Sequence, residues 1–139
     1  MSKEESPKSL CMVIPSLQAG GMERVMSQLA WHFSERTDLE LHMILYGMKR
    51  EIFFELPEGI RIHRPSFRFN NRLRLIYTVN TMLFLRSAVK HIHPDRVLSF
   101  GELWNSFVLL GLLGLNYPVF ISDRCSPERS YNALHRFLR

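Results

Sequence analysis

Gly20 and Gly21 follow a short apolar run and stand directly ahead of an oppositely charged pair, Glu23 and Arg24. A glycine pair permits a tight turn and lets another molecule come close to the backbone. A helix that starts there turns its free N–H groups and positive dipole end toward the loop, which suits an anion and above all a phosphate. A plainer reading stands beside it, in which the turn only lets helix and sheet pack closely. The loop has neither the third glycine of the dinucleotide fingerprint nor the Gly-Lys-Ser/Thr of the ATPase phosphate loop. Two further stretches carry residues able to do chemistry: Ser99, Phe100, Gly101, Glu102 and Asn105, and then Asp123 with Arg124. Glu102 is a candidate general base, because a carboxylate in a cleft can take the proton of an acceptor hydroxyl. Its other reading is a partner for a helix dipole.

Phe67, Arg68, Phe69, Arg72 and Arg74 interleave aromatics with cations ahead of a long basic helix. That pattern suits anionic lipid headgroups or the pyrophosphate of a lipid-linked acceptor. A solvated loop with anchoring aromatics is the alternative. No recognised nucleic-acid motif accompanies the charge, so nucleic acid is not an expected partner. His91 and His93 have no Cys or acidic partners at ligand spacing, and no metal site is expected. Trp31 and His32 read as packing and surface residues, and the 7 methionines as core.

The elements that must hold these residues alternate between strand and helix. Residues 10–14 read as a buried strand, ended by Pro15, which has no N–H for a ladder. Met22, Val25, Met26, Leu29, Ala30 and Phe33 then repeat at helical spacing, with the helix ending between 34 and 37. Strands are expected over 40–45, 60–63, 96–99 and 118–122. A long helix is expected from 73 to about 91, stopped at His93-Pro94-Asp95. The helix over 103–113 is apolar on nearly every side and is expected to be sandwiched. Another helix is expected over 128–138, and residues 1–8 as a disordered lead. The fold class is therefore α/β, a three-layer Rossmann-like domain with a mainly parallel sheet. In such sheets ligands sit at the carboxyl ends of the strands, where strand order reverses. Loops 15–21, 100–105 and 123–127 would converge there.

The totals bound this reading. A chain of 139 residues, 46% hydrophobic and 22% charged, fits one globular domain. A net charge of +5 favours acidic or phosphorylated partners, or serves simple solubility. Cys11 and Cys125 make no disulfide framework, which points to a reducing cytosol. The apolar run 107–115 is too short to span a bilayer, which takes about 18–20 residues.

Three stretches together resemble glycosyltransferase family 4, of the GT-B architecture. Residues 13–24 (VIPSLQAGGMER) are similar to that family's opening strand and its Gly-Gly-x-Glu-Arg helix start. Residues 94–100 (PDRVLSF) are similar to its Pro-Asp-x-Val-x-Ser-Phe strand. Residues 119–124 (VFISDR) are similar to its Ile-Ser-Glu-Arg strand end, with Asp123 in place of the glutamate. The resemblance implies the N-terminal, acceptor-side domain (residues 9–139) of a retaining enzyme, cut before a C-terminal donor domain that holds the family's paired glutamates. It implies transfer of a hexose from a nucleotide-sugar to a glycan or polyprenyl-phosphate-linked acceptor, with no metal and no tightly bound cofactor. Gly20 and Gly21 would approach the donor phosphates or transferred sugar, and Glu23 and Arg24 would brace the helix start. Ser99, Phe100, Gly101, Glu102 and Arg124 would touch acceptor or sugar. Gly101 and Glu102 stand where the family usually has a histidine. The expected setting is cytoplasmic, peripheral on the inner face of an anionic membrane, with the fragment alone inactive. A rival of another class is a non-catalytic module that binds an acceptor or a phosphate. A nucleotide-binding domain unrelated to sugars is a third reading.

Overall fold

The computed structural model describes residues 7–49, 51–67 and 71–122, without the side chains of Asn71, Glu102 and Leu103. The expected loop over 123–127, the expected helix over 128–138, Cys125 and all but the end of the expected lead lie outside the described residues.

Five strands form one fully parallel sheet: β1 (Lys8–Ile14), β2 (Leu39–Leu45), β3 (Arg61–His63), β4 (Arg96–Phe100) and β5 (Val119–Ser122). Their order across the sheet is β3-β2-β1-β4-β5. Parallel neighbours need long crossovers, and helices supply three of them: α1 (Gly21–Ser34), α2 (Arg74–Ile92) and α3 (Glu102–Gly111). The alternation of side chains along β1 divides the core in two. Leu10, Met12 and Ile14 face α1 and pack with Met26, Ala30, Met43 and Phe100. Cys11 and Val13 face the other way, against Leu85 and Val89 of α2 and Val108 and Leu112 of α3. The molecule is thus three layers, with α1 on one face and α2 and α3 on the other, as the alternating pattern predicts.

β1 begins at Lys8, two residues earlier than the apolar run alone predicts. Polar pairing extends it. The Lys8 N–H donates to the Asp38 carbonyl at 2.9 Å. Ser9 donates its N–H to Asp95 Oδ2 at 2.7 Å, which ties β1 to the start of β4. The Ser9 N–H holds the Asp95 carboxyl below the usual carboxylate range. α2 stops as its sequence predicts: His93 takes the left-handed conformation, φ 50°, just before Pro94. Its N–H donates to the Val89 carbonyl at 3.0 Å, and Tyr117 Oη lies 3.0 Å from its Nδ1.

α3 departs from expectation. It is not sandwiched, since Trp104 and Leu110 are exposed. It packs on the sheet beneath and on α2 at one side. Among the described residues nothing covers its outer side, so uniform apolarity here does not mean burial all round.

Candidate functional site

β1 and β4 lie side by side in the middle of the sheet, yet their connections leave in opposite directions. β1 runs through α1 to β2 on one face, and β4 runs through α3 to β5 on the other. Such a reversal opens a crevice at the carboxyl ends of the two strands. Loops 15–20 and 101 border it, as expected; the third expected loop, with Asp123 and Arg124, lies outside the described residues.

Two helix heads meet at this crevice. α1 starts after Gly20 and α3 after Gly101, and neither has a side-chain cap. A Cβ built on Gly101 would lie 3.1 Å from Met22 Sδ and 3.1 Å from Trp104 Cδ1, so the heads are in contact distance. Gly101 also has φ +96°, a conformation that side chains with a Cβ rarely adopt. The chain needs glycine there on both counts. From this loop the Gly101 N–H donates to the Ser122 carbonyl at 3.2 Å.

At α1 the glycines act differently from the expected tight turn. Gly20 is extended, φ −167° and ψ 164°, which any residue adopts. The space beside it is filled by the Glu23 carboxylate, which folds back onto the position a Gly20 Cβ would take. Glu23 is the third residue of the helix, where a negative charge is favoured by the dipole. The reading of a bare anion site is corrected to that extent: the anion nearest this helix head is the chain's own. Gly21 has nothing within 4 Å of its would-be Cβ, so its backbone is open to an incoming group. The Arg24 side chain is exposed, while its N–H donates to the Gly20 carbonyl at 3.1 Å.

Ser99 and Asn105 are both buried and bonded to each other, with Ser99 Oγ donating to Asn105 Oδ1 at 2.8 Å. Asn105 Nδ2 reaches the Ser122 carbonyl at 3.1 Å. This pair therefore fastens β4, α3 and β5 together beneath the crevice. The Phe100 side chain packs in the core on the α1 side, so only its backbone borders the loop. Glu102 is the first residue of α3, and its side chain lies outside the described residues. Of the aromatic and cationic set, Phe67 packs edge-on against Tyr77 of α2, with ring centres 5.5 Å apart. Arg72 and Arg74 are exposed at the start of α2, and Arg68 and Phe69 lie outside the described residues. No group of three or more His, Cys, Asp or Glu among the described residues could hold a metal.

Three residues at this end of the sheet escape a reading of the sequence. Gly47, just past β2, donates its N–H to the Pro15 carbonyl at 2.8 Å, and a Cβ there would lie 2.5 Å from that same oxygen. It locks the exit of β2 onto the exit of β1. Tyr46 stacks on Phe107 at 5.4 Å and meets Trp104 edge-on at 6.1 Å. Its hydroxyl is buried with no hydrogen-bond partner, and burial raises its pKa. Trp104 shows 43% of its surface to solvent. Both ring residues read as ordinary core in an apolar segment, and only the tertiary fold brings them to the rim. Beside them a shallow cavity of about 440 Å³ is lined by Gln18, Met48, Lys49 and Glu51. A larger cavity, about 540 Å³, lies at the opposite end of the sheet, between Leu10, Phe33, Leu98 and Phe120.

Cys11 is fully buried in β1, and burial pushes its thiol up to about 12, so it is no nucleophile.

No family model matches the chain. It is similar to a Campylobacter jejuni protein, GalNAc-alpha-(1->4)-GalNAc-alpha-(1->3)-diNAcBac-PP-undecaprenol alpha-1,4-N-acetyl-D-galactosaminyltransferase. The two are 26% identical over 132 residues, which is 94% of this chain. The chain spans only 36% of that protein's length. The fully parallel sheet and this distant similarity together support a glycosyltransferase-like chain with the Rossmann-like architecture of a GT-B N-terminal domain.

Proposed function

We propose that this chain is the acceptor-side domain of a retaining glycosyltransferase. The whole enzyme moves a hexose or N-acetylhexosamine from a nucleotide-sugar to a glycan or polyprenyl-phosphate-linked acceptor. The carrying observation is the pair of uncapped helix heads, α1 and α3, that meet at the switch point of the sheet. The Glu23 carboxylate at that point suits sugar hydroxyls, which can donate hydrogen bonds to it, better than it suits a phosphate. The open Gly21 N–H and the amides at the head of α3 supply donors beside it. Glu102, at the start of α3, remains the candidate base for the acceptor hydroxyl. The acceptor class draws on the Campylobacter relative, whose name specifies a polyprenyl-diphosphate-linked glycan. Donor phosphates belong to the second domain that the family resemblance implies, so catalysis rests on positioning the acceptor across the cleft. The chain lies on the cytoplasmic side, peripheral to the membrane, with no tightly bound cofactor.

Titration calorimetry tests the division of labour. The chain alone is expected to bind a polyprenyl-diphosphate-linked N-acetylhexosamine and to show no sugar transfer. Glu23→Gln is expected to weaken that binding about fivefold to tenfold, as the loss of one charge-assisted hydrogen bond would. Binding of UDP or GDP without the acceptor would overturn the reading in favour of a nucleotide-binding domain. Acceptor binding by a full-length protein that shows no transfer would favour a non-catalytic module.

A further inference from the structure

α2 is apolar on both sides. Thr81, Leu85, Ala88 and Val89 are buried against the sheet and α3. On the opposite side Leu75 is 78% exposed, Ile76 54%, Val79 49% and Leu83 58%. At about 100° per residue these four share one sector roughly 100° wide. Leu73, just ahead of the helix, is 49% exposed as well. Exposed leucines scattered singly need no explanation, but a contiguous stripe of this kind marks an interaction surface.

The charges around the stripe are of one sign. The helix sequence RLIYTVNTMLFLRSAVKHI contains no Asp or Glu. Arg72 and Arg74 are exposed at one end and Lys90 at the other. Arg86 is turned inward, donating to the carbonyls of Gly111 at 3.1 Å and Leu113 at 2.7 Å. The stripe is also placed at one end of the molecule. β3 ends at His63 on the carboxyl side of the sheet, so α2 starts there and runs down toward Arg96. The exposed apolar residues occupy positions 73–83, the half of α2 nearest the crevice.

We propose that this outer face of α2 docks onto an anionic lipid bilayer, with the helix lying in the interface plane. An apolar face flanked by cations and free of carboxylates is the composition that such a helix requires. No helix among the described residues is long and apolar enough to cross a membrane, so α2 lies on the surface. The expected contact at Phe67 moves accordingly, because that ring is engaged with Tyr77 and the aliphatic side chains of the helix take its place. Docked this way, the rim of the crevice faces the headgroups. The inference stands on the helix surface alone and does not depend on the sugar-transfer reading.

Sedimentation with vesicles tests it, using the 139-residue chain and light scattering as a control for self-association. Vesicles with about one-third phosphatidylglycerol are expected to bind the chain at least tenfold more strongly than pure phosphatidylcholine. The double variant Leu75→Ser, Leu83→Ser should lower that binding tenfold or more with an unchanged unfolding midpoint, because both side chains are already exposed. Arg74→Glu with Lys90→Glu should lower it roughly fivefold per charge and remove its salt dependence. No binding to anionic vesicles overturns the proposal, and so does binding that neither double variant changes. A dimer that Leu75→Ser, Leu83→Ser converts to monomer would assign the face to a second copy and overturn it too.

Discussion

Tyr46 buries a hydroxyl with no partner, in a position where every neighbour identified is an aromatic ring. An unsatisfied buried hydroxyl costs about 1–3 kcal/mol relative to the same group in water. Tyr46→Phe keeps both ring contacts and removes that penalty. It should raise stability by about 1–2 kcal/mol, read as a higher urea midpoint with an unchanged slope. A lower midpoint would show that the hydroxyl has a partner in solution. Gly101 shows the opposite economy of atoms: it has no side chain, and both its positive φ and its contacts with Met22 and Trp104 require none. Glycine at 101 was legible only as part of a loop, because neither the sign of φ nor the approach of Met22 is written locally. Gly20 and Gly21 were legible as a helix start, but the return of Glu23 onto Gly20 was not, since it depends on one rotamer.

Among the elements, α3 depends most on polar fastening. Ser99 from β4, Asn105 from α3 and the Ser122 carbonyl of β5 form one buried chain of hydrogen bonds. Ser99→Ala strips the donor from a buried amide oxygen and should cost about 1–3 kcal/mol. Asn105→Ala breaks both links and should cost more. The double variant should fall short of the sum by about 0.5 kcal/mol or more, because the two residues share a bond. Simple additivity in urea unfolding would mean that they act separately. The helices and strands themselves were readable, for a physical reason. α1 carries its apolar residues on one side, and the strands are short apolar runs cut by Pro and Gly. α3 misled because periodicity reports which residues are apolar, not how many neighbours the fold supplies. α2 is similar: its two apolar sides are visible in sequence, but which one meets the sheet is decided by packing.

Across the whole molecule, stability should depend on pH through a histidine pair that joins β2 to β3. His42 Nδ1 and His63 Nε2 are 3.0 Å apart, with the rings stacked at 5.3 Å. Burial lowers the pKa of both, and for His63 the neighbouring His42, His91 and Arg61 lower it further. Glu40 beside His42 pulls the other way and is itself paired with Arg61 at 2.5 Å. The unfolded chain takes up these protons near pH 6.5, while the folded chain resists until lower pH. The contribution is therefore whole above about pH 6.5 and is lost as pH falls through the lowered folded values. Urea midpoints should drop between about pH 7 and pH 5, and His63→Gln should flatten that drop. An unchanged slope in the variant would assign the acid sensitivity to other groups.

The tie between Ser9 and Asp95 spans 86 positions in sequence. Closing so long a loop costs roughly 4 kcal/mol of chain entropy before any contact repays it. The sheet order puts that seam at its centre, so β1 can pair with β2 long before β4 exists to take its other edge. On a ribosome adding about 5–20 residues each second, the Leu10–Ile14 edge waits several seconds unpaired. An uncovered apolar strand edge is a template for pairing with another chain. The most vulnerable moment of this protein's life thus falls during its synthesis, when the middle of the future sheet is still its border.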